Sequence, residues 1–128
     1  MAARLEHVNF TVRDPQATAA RLGRIFGWRV RWQGAAKNGG HTLHLGEDAT
    51  YLALYAGPEG GEAQTVGADS YSLRGGLNHV GVVVEDLDAT EARVKAEGYT
   101  PHSHADYEPG RRFYFHDADG IEYEVVEY

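Results

Sequence analysis

The chain repeats itself, and the repeat limits what it can fold into. Leu5-Glu6-His7-Val8-Asn9-Phe10-Thr11-Val12 returns in layout as Leu77-Asn78-His79-Val80-Gly81-Val82-Val83-Val84, with His79 standing 72 residues after His7. Asp14, Ala17, Thr18, Ala20 and Arg21 recur at the same offset as Asp86, Ala89, Thr90, Ala92 and Arg93, and Gly27 and Gly98 close both copies one residue out of step. A self-match of this kind marks a duplicated supersecondary unit. In 128 residues, a half of roughly 60 residues buries too little surface to stand alone. The two copies are therefore expected to pack on each other or on a second chain. This gives one domain over 1–128, with module one at about 1–56, a connection at about 57–76 and module two at about 77–128. Each copy places a histidine third in a strand.

Alternation within the copies assigns faces. In 5–12, Leu5, His7, Asn9 and Thr11 point one way, and Val8, Phe10 and Val12 point the other. The apolar side predicts a covering helix. Asp14 suits its N-cap and Pro15 its first turn. Ala19, Leu22 and Ile25 or Phe26 form its stripe, and Gly27 suits a left-handed stop. Strands are predicted at 28–33, 41–45 and 51–55, with turns at Lys37-Asn38-Gly39-Gly40 and Gly46-Glu47-Asp48. The first unit thus reads β-α-β-β-β. The Gly-rich, polar connection at 57–76 shows little periodicity and reads as a linker or a functional flap.

The second unit runs in parallel. A strand at 78–84 has Val80, Val82 and Val84 on its apolar side and Leu77, His79, Gly81 and Val83 on its front. Gly81 inside that strand marks either a close approach by a ligand or backbone, or a bulge. Asp88 with Glu91 resembles a capping box, Leu87 and Val94 supply a buried stripe, and Gly98 ends the helix. His102, His104, Asp106 and Glu108 fall in a polar stretch broken at Pro109-Gly110, where His102 and His104 alternate as on a solvent-exposed strand edge. Strands at 111–116 and 121–128 flank a tight turn at Asp117-Ala118-Asp119-Gly120.

Charge and composition narrow the chemistry. A formal charge of −7 without a Lys/Arg cluster argues against binding nucleic acid, which requires phosphate neutralisation. It suits a cationic ligand or a metal ion better. The absence of cysteine removes disulfides, thiolate ligands and a Cys nucleophile. The N-terminal residues lack a signal-peptide core and no apolar run reaches membrane-spanning length, so a cytoplasmic protein is expected.

The faces then suggest a ligand set. On the last strand Glu122, Glu124, Val126 and Tyr128 share the side opposite Ile121, Tyr123 and Val125. Glu124 therefore shares the front of its sheet with His79, and pseudo-symmetry adds His7. Two imidazoles and one carboxylate on one face are what an open-sided Fe(II) site uses. Three protein ligands also leave positions for substrate, whereas a structural site closes with four. If Phe113 and Phe115 pack inward, Tyr114 and His116 face the same pocket and are candidate acid/base residues. Asn9, Thr11 and Glu122 are candidate substrate contacts.

Taken together, three stretches resemble the vicinal oxygen chelate superfamily of glyoxalases, bleomycin-resistance proteins, extradiol dioxygenases and fosfomycin-resistance enzymes. They are His7-Val8-Asn9-Phe10-Thr11-Val12-Arg13-Asp14, then Asn78-His79-Val80-Gly81-Val82 with Asp86, and the run from Phe113 to Glu124. The last is similar to the family's Asp-Pro-Asp-Gly-Asn-x-x-Glu signature, with Ala118 in place of Pro and Ile121 in place of Asn. The resemblance implies an α+β fold of two βαβββ modules pairing into a curved mixed sheet or half-barrel. It further implies a divalent ion (Fe, Mn, Ni, Co or Zn) held by His7, His79 and Glu124, and a homodimer that draws His7 from either chain. Glyoxalase I and related epimerases resemble one another in taking a further Glu or Gln from the strand equivalent to Tyr51-Leu52-Ala53-Leu54-Tyr55. Here Ala53 falls at or near that position and offers no ligand.

Two functions of different class follow. The first is a metal-dependent enzyme, dioxygenase-like or a lyase/transferase, chelating vicinal oxygens of a small metabolite. The second is a metal-free protein of the bleomycin-resistance type that sequesters a small cationic ligand. A degenerate dimeric scaffold is a third reading.

Overall fold

The structure, a computed structural model, describes residues 2–59 and 69–128. The chain divides into two units, Met1–Gln64 and Thr65–Tyr128. The first holds β1 (His7–Thr11), α1 (Pro15–Phe26), β2 (Arg29–Ala35), β3 (His41–Gly46) and β4 (Tyr51–Ala56). These strands form one sheet in the order β1-β4-β3-β2, with β1 parallel to β4 and the other pairs antiparallel. Alternation along β1 is as expected: Phe10 and Val12 are buried, while His7, Asn9 and Thr11 are exposed.

The helix begins where its sequence says it should. The Asp14 carboxylate accepts from the backbone N–H groups of Gln16 and Ala17, Pro15 occupies the first turn, and Gly27 takes a left-handed φ of 76° that sends its N–H to the Gly23 carbonyl. A Cβ in that left-handed region would be strained, so glycine suits the stop. Ala19, Leu22 and Ile25 are buried on the face that meets β3 and β4, where Leu43, Leu45, Leu52 and Leu54 are also buried. Each such leucine or isoleucine contributes about 1.5–3 kcal/mol of transfer free energy.

The second unit holds β5 (Val80–Val83), α2 (Leu87–Ala96), β6 (His102–Tyr107), β7 (Gly110–His116) and β8 (Glu122–Glu127). Its sheet has the order β5-β8-β7-β6, again with one parallel pair, β5 with β8. The βαβββ connectivity is the same in both units. Phe113, Phe115, Tyr123 and Val125 are buried on the side that faces α2, together with Leu87, Thr90 and Val94 from the helix. Between β7 and β8, Asp117 is buried. It accepts from the backbone N–H groups of Asp119 and Ile121 and from the Tyr123 hydroxyl. Desolvation raises its carboxyl above the ordinary aspartate value.

Four expectations need correction. The curved half-barrel is not formed: each unit builds its own four-stranded sheet, neither closed nor strongly curled. Closure takes about eight staggered strands, and a four-stranded sheet buries one face under a single helix without closing. The α2 cap is Asp86, which accepts from the Ala89 backbone N–H, and not Asp88 with Glu91. Strand β5 starts at Val80, so His79 stands one residue ahead of it. The polar stretch from His102 is a full edge strand, β6, hidden from a period-two reading by an irregularity between His102 and Ala105 where Ser103 takes a φ of 57°. That bulge reverses the alternation, so the two histidines do not share an exposed edge. Of the expected connection, residues 60–68 lie outside the described residues. Among the described residues, no helix is long and apolar enough to cross a membrane.

Candidate functional site

The front of the second sheet carries a lattice of polar side chains set by strand register. Across it, Gly81 pairs with Glu124, Glu124 with Tyr114, and Tyr114 with His102; one step along, His116 pairs with Glu122. Period two then adds Arg112 to the Tyr114 face. A Cβ on Gly81 would make only an ordinary 3.9 Å contact with Glu124 Oε1, so the glycine leaves space above that carboxylate.

Glu124 is held from one side. Its Oε2 accepts from the Tyr114 hydroxyl at 2.5 Å and from Arg112 Nη1 at 3.0 Å. Arg112 is itself fixed by the β6–β7 hairpin, donating to the carbonyls of Tyr107 and Gly110 while stacking over the Tyr107 ring. Burial alone would raise the Glu124 carboxyl. The Tyr114 hydrogen bond and the Arg112 cation outweigh that effect and hold it below the usual carboxylate range. In return, the Glu124 hydrogen bond and desolvation push the Tyr114 phenol up to about 12. Tyr114 therefore keeps its proton at neutral pH and donates it to Glu124.

The other carboxylate oxygen faces an imidazole. Glu124 Oε1 stands 3.8 Å from His79 Nε2. His79 Nδ1 lies 3.0 Å from the Tyr71 hydroxyl, which in turn lies 2.9 Å from Glu122 Oε1. A carboxylate only accepts, so the Tyr71 proton goes to Glu122 and the Tyr71 oxygen accepts from His79 Nδ1–H. In the neutral ring this leaves Nε2 as a bare lone pair aimed toward Glu124 Oε1. In that form two acceptors face each other, with no hydrogen on Nε2. A first-row cation bonding N and O near 2.0–2.2 Å would need them only slightly closer, about 3.0–3.4 Å apart. Fixing a ligating histidine through its second nitrogen is also how metal sites orient imidazoles. The donor set fits a divalent ion.

Beside this pair lies a second group. One ligand atom each from His102, His116 and Glu122 lie within 4.8 Å of one another. His102 Nε2 and His116 Nδ1 are 3.1 Å apart, and His116 Nε2 is 3.4 Å from Glu122 Oε2. The bulge at Ser103 places His102 here, stacked near Tyr114 and His116, and sends His104 to the opposite face to bond Glu91 of α2 at 2.8 Å.

His79, Glu124, Tyr114, His116 and Glu122 are thus brought together on one sheet. His7, Asn9 and Thr11 belong to the first unit, on one face of β1. There His7 lies against Tyr51, with ring centroids 4.9 Å apart, and its Nδ1 is 2.9 Å from Glu6 Oε1. Ala53 pairs with Asn9 and with His44 and is buried, adding no ligand group. Three residues of this face were not expected from the sequence. Arg112 carried a signal, since it stands two before Tyr114 on the same strand face. His102 was hidden by the bulge, and Tyr71 sits in a 3-10 turn (Ser70–Ser72) within a stretch that carries no periodic signal.

Comparison with known proteins accords with this fold. A family model described as the Glyoxalase/Bleomycin resistance protein/Dioxygenase superfamily matches residues 4–125. No curated protein matches the chain significantly. Among solved structures, a glyoxalase/bleomycin resistance protein/dioxygenase domain from Frankia sp. EAN1pec is 23% identical, with a TM-score of 0.76 and coverage of 99% of this chain and 98% of that one. A glyoxalase family protein from Enterococcus faecalis is 20% identical at a TM-score of 0.76, covering 97% of each chain. A mutant of the fosfomycin resistance protein FosX from Listeria monocytogenes, complexed with Mn(II) and dihydroxypropylphosphonic acid, is 20% identical at a TM-score of 0.74, covering 98% of this chain and 93% of that one. At these identities the structures speak to fold alone. The family match spans nearly the whole sequence, and the chain belongs to the glyoxalase/bleomycin resistance protein/dioxygenase superfamily, also called the vicinal oxygen chelate superfamily.

Proposed function

We propose that the protein is a divalent-metal-dependent enzyme acting on a small metabolite with two neighbouring oxygens, dioxygenase-like or a lyase/transferase. His79 and Glu124 are two of the ligands, and His7, from the same chain or a partner copy, is the third. The observation that carries this reading is the facing pair of His79 Nε2 and Glu124 Oε1 at 3.8 Å, each held in place through its other polar atom. Imidazole and carboxylate donors suit Fe, Mn, Ni, Co or Zn. The Mn(II) bound by the listerial FosX mutant makes manganese a sensible first ion to test.

The bound ion supplies Lewis acidity, stabilising negative charge on the chelated oxygens by several kcal/mol. The surrounding side chains do the rest. Tyr71 and Glu122 keep His79 in the Nδ1–H form, and Arg112 and Tyr114 keep Glu124 ionised and aimed. Tyr114 holds its proton too tightly to act as a base, so it is a positioning residue. His116, half exposed and beside Glu122, is the candidate acid/base residue on this face. Asn9 and Thr11 line the His7 strand as substrate contacts. With Ala53 where a fourth ligand would stand, that strand offers no second placed base for proton transfer between carbons, which favours dioxygenase or lyase/transferase chemistry over isomerisation unless Glu122 or a partner residue takes that part.

Elemental analysis of protein purified without chelator and reloaded with each ion tests the proposal. The expected result is uptake that His79→Ala and Glu124→Gln each lower by about one equivalent while far-UV circular dichroism stays unchanged. Uptake below a tenth of an equivalent after reloading would sink it. Reloaded protein would then be screened with catechols and 2-hydroxy ketones. The protein is further proposed to be a homodimer; a monomer in sedimentation at micromolar concentration contradicts this.

A further inference from the structure

We propose that His102, His116 and Glu122 form a second cation site on the same sheet face, taking an imidazole-preferring divalent ion such as Zn(II). This goes beyond the proposed function, because none of these residues ligates the first ion. The three donors come from three neighbouring strands, β6, β7 and β8, and register rather than a flexible loop brings them together. Their ligand atoms already lie within 4.8 Å of one another. His116 presents Nδ1 to His102 at 3.1 Å and Nε2 to Glu122 at 3.4 Å. Its side chain is 51% exposed, so the ring can turn to offer one nitrogen to a shared ion. Glu122 is 14% exposed and supplies the one negative charge. Two imidazoles and a carboxylate with solvent on one side leave open positions for water, as a non-structural zinc site does.

The chain places these residues here by an unusual route. A regular strand would put His102 and His104 on one face. The irregularity at Ser103, at a φ of 57°, separates them and turns His102 toward His116. An exposed edge strand has no need of that separation.

Glu122 links the two sites. Its Oε2 faces His116 while its Oε1 accepts the Tyr71 hydroxyl that orients His79. An ion drawn to Glu122 weakens it as an acceptor for Tyr71, so occupancy of the second site loosens the hold on His79. This coupling rests on His79 as a ligand of the first ion; the second site does not.

The test uses the full chain carrying His79→Gln, which disables the first site, titrated with zinc chloride while the ring nitrogens of the remaining histidines are followed by NMR. The His102 and His116 signals are expected to move together and saturate, with His41 as an internal control. On that background His116→Gln and Glu122→Gln should each weaken zinc binding at least about tenfold, with an unchanged amide spectrum in the absence of metal. Zinc that leaves His102 and His116 unmoved, or binding unaltered by either substitution, overturns the proposal. Because the first site is disabled throughout, neither result depends on whether His79 and Glu124 hold a metal.

Discussion

At the scale of single residues, the proposed metal site depends on which nitrogen of His79 carries the proton. Tyr71 settles this by donating to Glu122 and accepting from His79 Nδ1–H. Removing one oxygen atom should therefore weaken metal binding without removing a ligand. Tyr71→Phe is expected to lower affinity about 10–100-fold, the usual effect of losing a partner behind a ligating histidine. Isothermal titration of the metal-free protein measures it. An unchanged affinity would show that the tautomer is set elsewhere. That His79 and Glu124 come together on one sheet face was legible in the sequence because the repeat marks the histidine and strand alternation orients the carboxylate. Tyr71 was not, because a residue in an aperiodic connection is brought to the site by tertiary structure alone. Arg112 lay between these cases: alternation places it beside Tyr114, but an arginine on a strand reads as solvated until its guanidinium is seen holding Glu124.

At the scale of elements, the repeat was a better guide than local motif. Asp88 with Glu91 matches a capping-box spacing, yet α2 is capped by Asp86, the residue at the offset of Asp14 in the first copy. The supposed box residues have other partners: Asp88 bonds Arg111, and Glu91 bonds His104. Asp86→Ala should destabilise the protein by about 1 kcal/mol, the typical loss for an N-cap carboxylate. Asp88→Ala should cost clearly less, since an exposed ion pair adds little. Urea denaturation at constant m-value separates the two, and equal losses would contradict the assignment. The helices and seven of the eight strands follow from apolar period and caps to within two residues. Strands β1, β2 and β5 have one end displaced by two residues, because the chain enters or leaves them through positions that pattern does not bound. Strand β6 was missed as an element, since a bulge breaks the alternation that strand recognition relies on.

At the scale of the whole molecule, duplication divides the proposed ligands between the two units, with His7 in Met1–Gln64 and His79 and Glu124 in Thr65–Tyr128. If one ion is bound by all three, it is a cross-link that exists only in the folded protein, and binding then adds directly to stability. At a free metal concentration 100 times Kd the gain is about 2.7 kcal/mol, or roughly 10 °C in Tm for a chain of this length. Chelator treatment should remove that increment and reloading should restore it, as followed by differential scanning calorimetry. The informative variant is His7→Ala. If His7 completes the site, its loss abolishes most of the metal-dependent rise even though the substitution lies in the other unit, and His79→Ala does the same. If His7→Ala keeps the full rise while His79→Ala loses it, the ion is held within the second unit alone, and the functional importance of the duplication must lie elsewhere. Because the proposed second site contributes its own ligands, His116→Gln should be included in every variant, so that the increment measured belongs to the first ion. The outcome then decides whether the repeat that organises the sequence also organises the chemistry.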